Sequence, residues 1–426
     1  MANTLDGGSF AEMWMKEAQT VYDKHAIFPD IADTRFSAQF GRDGYNLVNF
    51  SYPSGIYAKA YTRGTDRTNQ DVTNTNETLS IATDKYISIY IDDFDGVQES
   101  FSNVEKYGAM MGNRMRANLD SRVLAEYANA THDVDAADME AGTAALGFTA
   151  TAANVVKSLL VGKKKMSLLN VSHKMLFAAL SPNVIQLLEE YLIDRGTVLA
   201  DRVVQEGFRR SNYKGVLPIV GCEIYETNNL TNTFVLSLAT QPITGDTLVL
   251  TYKNPFTGSA TITITFKTSL TGAGTYNEVY TVTNVDTTRV NLAHLINNTG
   301  TVDTNHSDFS AANRLILNDI ALTATDSPSA DTCTFVWKGS GTISLSETLT
   351  DATDTFTATK QIQHNLMGIK GSTKVAVQLD PKVEKQRDPD RFGDNYSVPL
   401  LDGIKTFNDG AKGLVDINVR FDGVDF

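Results

Sequence analysis

The chain has 426 residues, with 37 Lys and Arg against 50 Asp and Glu, a formal charge of −13 that does not suit a coat gripping nucleic acid by its phosphates. That length allows two or three domains and a large buried core, and the two cysteines, Cys222 and Cys333, lie too far apart in sequence for a disulfide scaffold or a Cys-based zinc site. The N-terminal stretch MANTLDGGSFAEMWMKEAQ lacks a basic segment followed by an apolar one, and no apolar run approaches the ~18 residues that span a bilayer, so the expectation is a soluble product made in the cytoplasm with no membrane partner.

In chain order, residues 43–62 and 77–91 read as extended segments joined by the polar stretch TRGTDRTNQDVTNTN, which predicts a long two-stranded flap. Its tip carries Arg63, Asp66, Arg67 and Asp71. A two-stranded ribbon is marginal in water unless something covers it, which makes these four residues candidate contacts to a neighbouring subunit; a free solvated hairpin is the alternative. Over 101–130, Val104, Tyr107, Met111, Met115, Leu119, Val123 and Tyr127 recur three or four apart, the pattern of a long amphipathic helix, with Ser102 as a cap candidate and Glu105 three residues on. A polar, Ala-rich linker (131–150) follows, then a helix over 151–161 and a buried strand ending at Leu180. Ser181-Pro182 starts a further helix through VIQLLEEYLID. The stretch 215–230 predicts a strand pair, 364–379 a helix or turn leading into a strand, and alternation around 413–419 a C-terminal strand.

Between these parts lies a segment of different composition. Residues 231–360 hold 31 Thr in 130 positions, whereas the other 296 positions hold 18, so this window reads as a separate β-rich domain inserted into a host. Ile262, Ile264 and Phe266 alternate with Thr261, Thr263 and Thr265; further strands are expected at 246–252, 278–283, 313–323 and 332–337, with one short helix over 288–297. The expectation is a sandwich or barrel with one helix.

No P-loop, dinucleotide fingerprint, GxSxG or HExxH is present, and the six His are scattered, so no catalytic residue, cofactor or metal is expected. Asp92, Asp93 and Asp95 before Gly96 resemble half of a calcium loop, but the first ligand position is Ile91 and no Glu follows at the required distance; an acidic turn before a helix accounts for them. Lys163, Lys164 and Lys165 form the only basic run, read as a solvated helix end or a contact to a partner or to packaged nucleic acid, as are Arg209 and Arg210.

The order of flap, long helix and α+β remainder resembles a family: the major capsid proteins of tailed bacteriophages with the Hong Kong 97-like fold. The segments that carry the resemblance are DKYISIYIDDFDGVQESFSNVEKYGAMMGNRMRANLDSRVLAEY (84–127), LFAALSPNVIQLL (176–188), LPIVGCEIYETNNL (217–230) and KVAVQLDPKVEKQRDPDRFGD (374–394). The resemblance implies an α+β fold with an N-terminal arm (1–42), an extended loop (43–91), a peripheral domain with its spine helix (92–150) and an axial domain (151–230, returning at 361–380). The inserted β-rich domain would occupy 231–360 and the C-terminal peripheral strands 381–426.

The same resemblance implies self-assembly into hexamers and pentamers of an icosahedral shell, located in the virion, that encloses double-stranded DNA without sequence-specific binding. Expected partners are further copies of the chain, a separate scaffolding protein, a portal and possibly decoration proteins. Some relatives crosslink through a flap lysine; Lys59 and Lys85 are the flap lysines here, and neither stands at the tip. The alternatives are a nanocompartment shell protein of cellular origin and a structural protein that binds a receptor or glycan through the inserted domain. An enzyme is not expected.

Overall fold

A computed structural model of the chain describes residues 26–35, 37, 47–53, 55–67, 69–93, 104–140, 147–172, 174–194, 214–217, 220–254, 258–271, 275–281, 284–302, 304–338, 342–351, 354–355, 360–379 and 382–422. Most of 1–42, Asp95 with Gly96, Ser102, Arg209 and Arg210 lie outside the described residues.

The first described element, α1 (Phe28–Ile31), is a single turn too short to be stable alone. Strands β1 (Leu47–Pro53) and β2 (Asn74–Ser80) form the flap ribbon, and β3 (Thr83–Asp92) follows after two residues. The expected pairing of 43–62 with 77–91 is therefore narrower than predicted: β1 pairs with β2, while β3 turns away into another sheet. The chain changes sheet at residues 81 and 82, between β2 and β3.

Helix α2 (Val104–Leu124) buries Met111, Met115, Leu119 and Val123 at i, i+4 spacing, then tightens into a 3-10 turn over Ala125–Asn129. On this helix Asp120 is fully buried and accepts from the Ile27 and Phe28 amides at 2.9 and 2.7 Å and from Asn229 Nδ2 at 2.7 Å. Two of these donors are the amides that α1 cannot satisfy within its own turn, so α2 fixes where the N-terminal segment lies.

Strand β4 (His132–Val134), the turn α3 (Ala136–Met139) and β5 (Phe148–Thr149) lead to α4 (Ala152–Leu168), capped by Thr151 and longer than the expected 151–161 because KKKMSL continues it. The all-buried β6 (Leu176–Leu180) and α5 (Pro182–Asp194) match the expected strand and Pro-initiated helix. Strands β7 (Lys214–Leu217) and β8 (Cys222–Glu226) form the predicted hairpin.

The Thr-rich segment contributes β9 (Thr231–Ser237), β10 (Thr247–Asn254), β11 (Gly258–Lys267), β12 (Glu278–Tyr280), α6 (Val285–Asn297), β13 (His306–Ser307), α7 (Ala311–Asp319), β14 (Thr323–Ser327), β15 (Thr332–Lys338) and β16 (Thr342–Thr348). Two expectations change here. Residues 313–323 are not one strand: Ser310 caps α7 by accepting from the Asn313 amide at 3.3 Å, and Leu317 and Ile320 pack inward before β14 begins. A short apolar run fits a buried helix as well as a strand, so the segment has two α-helices rather than one among the described residues. Helix α6 starts earlier than predicted, at an Asn284 cap, because Asn284 Oδ1 accepts from the Asp286 amide at 2.9 Å.

The chain then enters β17 (Lys360–Ile369), β18 (Thr373–Leu379), β19 (Glu384–Arg387), β20 (Gly393–Thr406), the turn α8 (Asn408–Ala411) and β21 (Leu414–Asp422). The expected helix or turn after 364 is instead the second half of β17, followed by a tight turn in which Gly371 takes φ +84°, a left-handed conformation suited to glycine. Polar residues on both faces of β17 hid the strand from periodicity.

Strand β17 is the hinge of the architecture. One edge pairs with β21 from Lys360↔Asp422 to Gly368↔Leu414; the other is shared end to end by β9, through Ile362↔Thr233 to His364↔Thr231, and β6, through Leu366↔Ala179 to Ile369↔Leu176. The sheet runs β14-β15-β9-β17-β6-β8-β7, with β4 and β5 parallel on β21. One face carries two apolar clusters. Phe148, Leu159, Ala178, Met367 and Val419 belong to the first, and Phe234, Ile264, Phe266, Leu295 and Trp337 to the second, which forms between that sheet and the five-stranded sheet β13-β12-β11-β10-β16. The Thr-rich segment thus has an apolar cluster of its own yet shares a sheet with the rest of the chain. A separate sheet is centred on β20, which pairs with β3 on one edge and β18 and β19 on the other.

The N-terminal segment closes against β18: the Asp33 amide donates to Thr373 O and the Val375 amide to Asp33 O. Arg35 and Lys374 bond the Asp33 carboxylate and hold it well below the usual carboxylate range, although burial opposes them. A depressed carboxylate stabilises the fold above its unfolded value near pH 4, and that contribution is lost as pH falls. Acid titration followed by circular dichroism should therefore show a shallower loss of stability below about pH 4 in Asp33→Asn than in the wild type. Thermal or urea denaturation of Asp120→Ala should show a loss of about 3 kcal/mol, since three buried donors lose their acceptor.

Candidate functional site

The flap is built from a ribbon with a fixed root and an open end. Register runs from Leu47↔Ser80 to Pro53↔Asn74, which puts Val48, Phe50 and Tyr52 on the inward face. That face meets Phe407, buried at the end of β20, with ring centroids 4.6 Å from Phe50 and 6.3 Å from Tyr52; Leu79, Ile81 and Ala376 complete the cluster. The Asn408 amide donates to Glu77 Oε2 at 3.1 Å. Burial, with Glu77 and Asp409 nearby, pushes the Tyr52 phenol up. Gly403 lies so close to the ribbon that an added Cβ would meet Ser80 O at 2.3 Å, so the root is seated without clearance.

Beyond Pro53 the ribbon ends. Residues 55–73 form no strand among the described residues; the Thr65 amide and hydroxyl both donate to Thr62 O, closing a turn at the far end. The structure places Arg63, Asp66, Arg67 and Asp71 on this loop, all exposed, and does not bring them into ion pairs with one another.

The same loop also displays apolar side chains that the sequence reading passed over: Ile56 is 76% exposed, Tyr57 66%, Tyr61 63% and Val72 52%. Tyr57, Lys59 and Tyr61 stand at alternate positions of this loop, with Lys59 Nζ 6.0 Å from the centroid of the Tyr57 ring. The available signal was the pair of tyrosines inside a segment with no apolar partner of its own. Lys59 Nζ bonds Asn69 O at 3.3 Å across the loop, and Lys85 is exposed on β3.

The other sequence candidates have internal work. Lys163 Nζ donates to Val220 O at 2.8 Å and Lys165 Nζ to Asp138 Oδ2 at 2.6 Å, so the basic run ties α4 to its surroundings and exposes chiefly Lys164. Asp93 takes a two-pronged bond from Arg387 at 2.8 and 2.6 Å, which lowers its pKa, and Asp92 Oδ2 accepts from the Tyr90 hydroxyl at 3.1 Å. Among the described residues no group of three or more His, Cys, Asp or Glu is arranged to hold a metal ion. Cys222 and Cys333 are buried, and burial pushes both thiols up to about 12. No helix among the described residues is long and apolar enough to cross a membrane.

No protein-family model matches the sequence, and no curated protein matches it. Solved structures do match in fold over nearly the whole chain. A chain of Mycobacterium phage Che8 is similar at 12% identity and a TM-score of 0.53, covering 98% of this chain and 98% of that one. A chain from the capsid structure of the Cyanophage P-SCSP1u is similar at 12% identity and 0.51, covering 98% and 94%. A chain from the head structure of Helicobacter pylori bacteriophage KHP40 is similar at 8% identity and 0.50, covering 100% and 99%. The chain therefore has the fold of chains found in bacteriophage head structures.

Truncating the flap root should separate seating from folding. In Phe407→Ala, hydrogen exchange of the β1 and β2 amides should accelerate toward the unprotected rate, with a stability loss of about 3 kcal/mol.

Proposed function

We propose that the chain is the major capsid protein of a tailed bacteriophage, with the Hong Kong 97-like arrangement, and that copies of it assemble as hexamers and pentamers of an icosahedral shell around double-stranded DNA. The observation that carries this reading is the flap: a root bolted to Phe407 and an open loop, 55–73, that holds Ile56, Tyr57, Tyr61 and Val72 out in water. A monomer gains nothing from that arrangement, whereas a neighbouring copy that covers the loop buries it. Heterologous contacts of this kind close into rings and shells when the geometry permits. The fold shared with chains of phage heads supports the same reading.

In this reading α2 is the spine of the peripheral domain (92–150), the axial domain takes 151–230 and 361–380, the C-terminal peripheral strands take 381–426, and 231–360 is an insertion. The apolar cluster drawn entirely from residues 234–345 supports the insertion. Arg63, Asp66, Arg67 and Asp71 act as polar neighbours of the apolar loop residues in the contact between copies. The role is structural, in the virion, with a separate scaffolding protein and a portal as partners and decoration proteins where the outer face admits them. A chain of net charge −13 whose basic run is half engaged encloses DNA without gripping it.

The test is the pair Tyr57→Ser with Tyr61→Ser. Both side chains are exposed in the single chain, so stability should change by less than about 0.5 kcal/mol. Burying two tyrosines at a contact contributes roughly 3 kcal/mol, so the concentration needed for assembly, followed by sedimentation velocity, should rise about a hundredfold. Assembly at the wild-type concentration would contradict the flap's role.

A further inference from the structure

The Thr-rich segment meets the rest of the sheet at a narrow place. Among the described residues β9 pairs with β17 through Ile362↔Thr233, Gln363↔Asn232 and His364↔Thr231, whereas β17 holds β21 along its whole length. The pairing face at this junction is polar and buried. Gln361 Nε2 donates to Asn232 Oδ1, Gln363 Nε2 to the same oxygen at 3.3 Å, and Asn365 Oδ1 accepts from the Ser181 amide at 3.1 Å.

On the opposite face stands His364, in contact with three different parts of the chain. Its Nδ1 lies 2.8 Å from Asp416 Oδ2 on β21, its Nε2 lies 3.2 Å from Thr233 Oγ1 on β9, and its ring stacks on Tyr127, at the end of the long helix, with centroids 4.0 Å apart and planes 13° from parallel. Asn418, with its amide nitrogen turned inward, donates to Asp416 Oδ2 at 2.7 Å. We propose that this junction is a proton-operated clasp: acidification tightens the attachment of the Thr-rich segment to the body, and loss of a proton from the Asp416–His364 pair loosens it.

The electrostatics of the surroundings give the direction. Burial raises Asp416 above the ordinary carboxylate range; His364 pulls it back, and Asp133, opposite it on β4, pushes it up further. Tyr127 is held up to about 12 by burial and stays neutral. The other charged groups on packed elements are Lys165 of α4, which bonds Asp133 O and Asp138, and, on the far side, Lys338 of β15 beside Arg122 of α2. Arg122 is itself committed to Asp402 and Thr83, and Glu126 to the Thr406 amide. Beside the neutral Asn418 amide, the His364 imidazole directly bonds the Asp416 carboxylate and lowers its pKa against burial.

For a carboxyl raised in the closed junction, closure takes up a proton. The closed form is favoured fully below the ordinary carboxylate value near 4 and less favoured as pH rises through the raised value.

Hydrogen exchange of the full chain, corrected for the intrinsic pH dependence of exchange, tests this at the amides of β9 and β15. In the wild type, protection there should fall as pH rises from 4 to 8, while α5 amides stay level. Asp416→Asn should remove the pH dependence and keep the junction closed throughout. His364→Gln should keep the dependence and loosen the junction further at pH 8. Uniform protection across that range in the wild type, or an unchanged dependence in Asp416→Asn, would overturn the proposal.

Discussion

A two-stranded ribbon has no interior, and that constraint shapes the rest of this chain. Among the described residues, the root of the flap is covered by its own protein, through Phe407 and the clearance-free approach of Gly403 to Ser80. Past Pro53, Tyr57, Tyr61 and Val72 stand more than half exposed among the described residues. The chain resolves this by making the root rigid and leaving the end open, which orients the loop before any partner arrives. Pre-orientation matters because an already seated loop loses less entropy on docking than a free one. Strand β20 supplies that seat: it pairs with β3, which follows the ribbon directly, and its last residue leads into Phe407.

The larger sheet solves a different problem, the joining of two apolar clusters without merging them. A continuous hydrophobic face across β15, β9, β17 and β21 would fuse the clusters into one; instead Asn232, Gln363 and Gln361 interrupt it at the join. Buried amides are unforgiving of register, because a slip strands them without partners. They therefore set where β9 lands on β17 while contributing little net stability. Inside the Thr-rich segment the fully buried Arg289 plays a comparable part, bonding Leu238 O and Asp326 and so tying α6 to β14.

Much of this was legible in the sequence, for physical reasons that differ by element. The long helix could be read because its buried residues repeat at helical spacing, and the Thr-rich boundary because composition changes where solvated pleated surface begins. Helix α7 was missed because Leu315, Ile316 and Leu317 form a short apolar run that suits either period until Ser310 is seen to cap it. Strand β17 was missed because a central strand covered on both faces need not alternate, and its buried Gln361, Gln363 and Asn365, with His364 among them, look like a surface segment. The flap site was legible in part: the charged letters at the tip stood out, whereas the exposure of Ile56 and the tyrosines follows from tertiary structure that leaves them uncovered.

In a shell, one copy covers the flap of another. Three-dimensional reconstruction by electron cryo-microscopy of particles assembled from the purified chain tests it directly. The predicted result is a closed icosahedral shell in which loop 55–73 of each copy lies on a neighbour, with Tyr57 and Tyr61 buried there. A shell in which that loop touches only its own chain, or a product that stays monomeric at every concentration and with every scaffold tried, would contradict it.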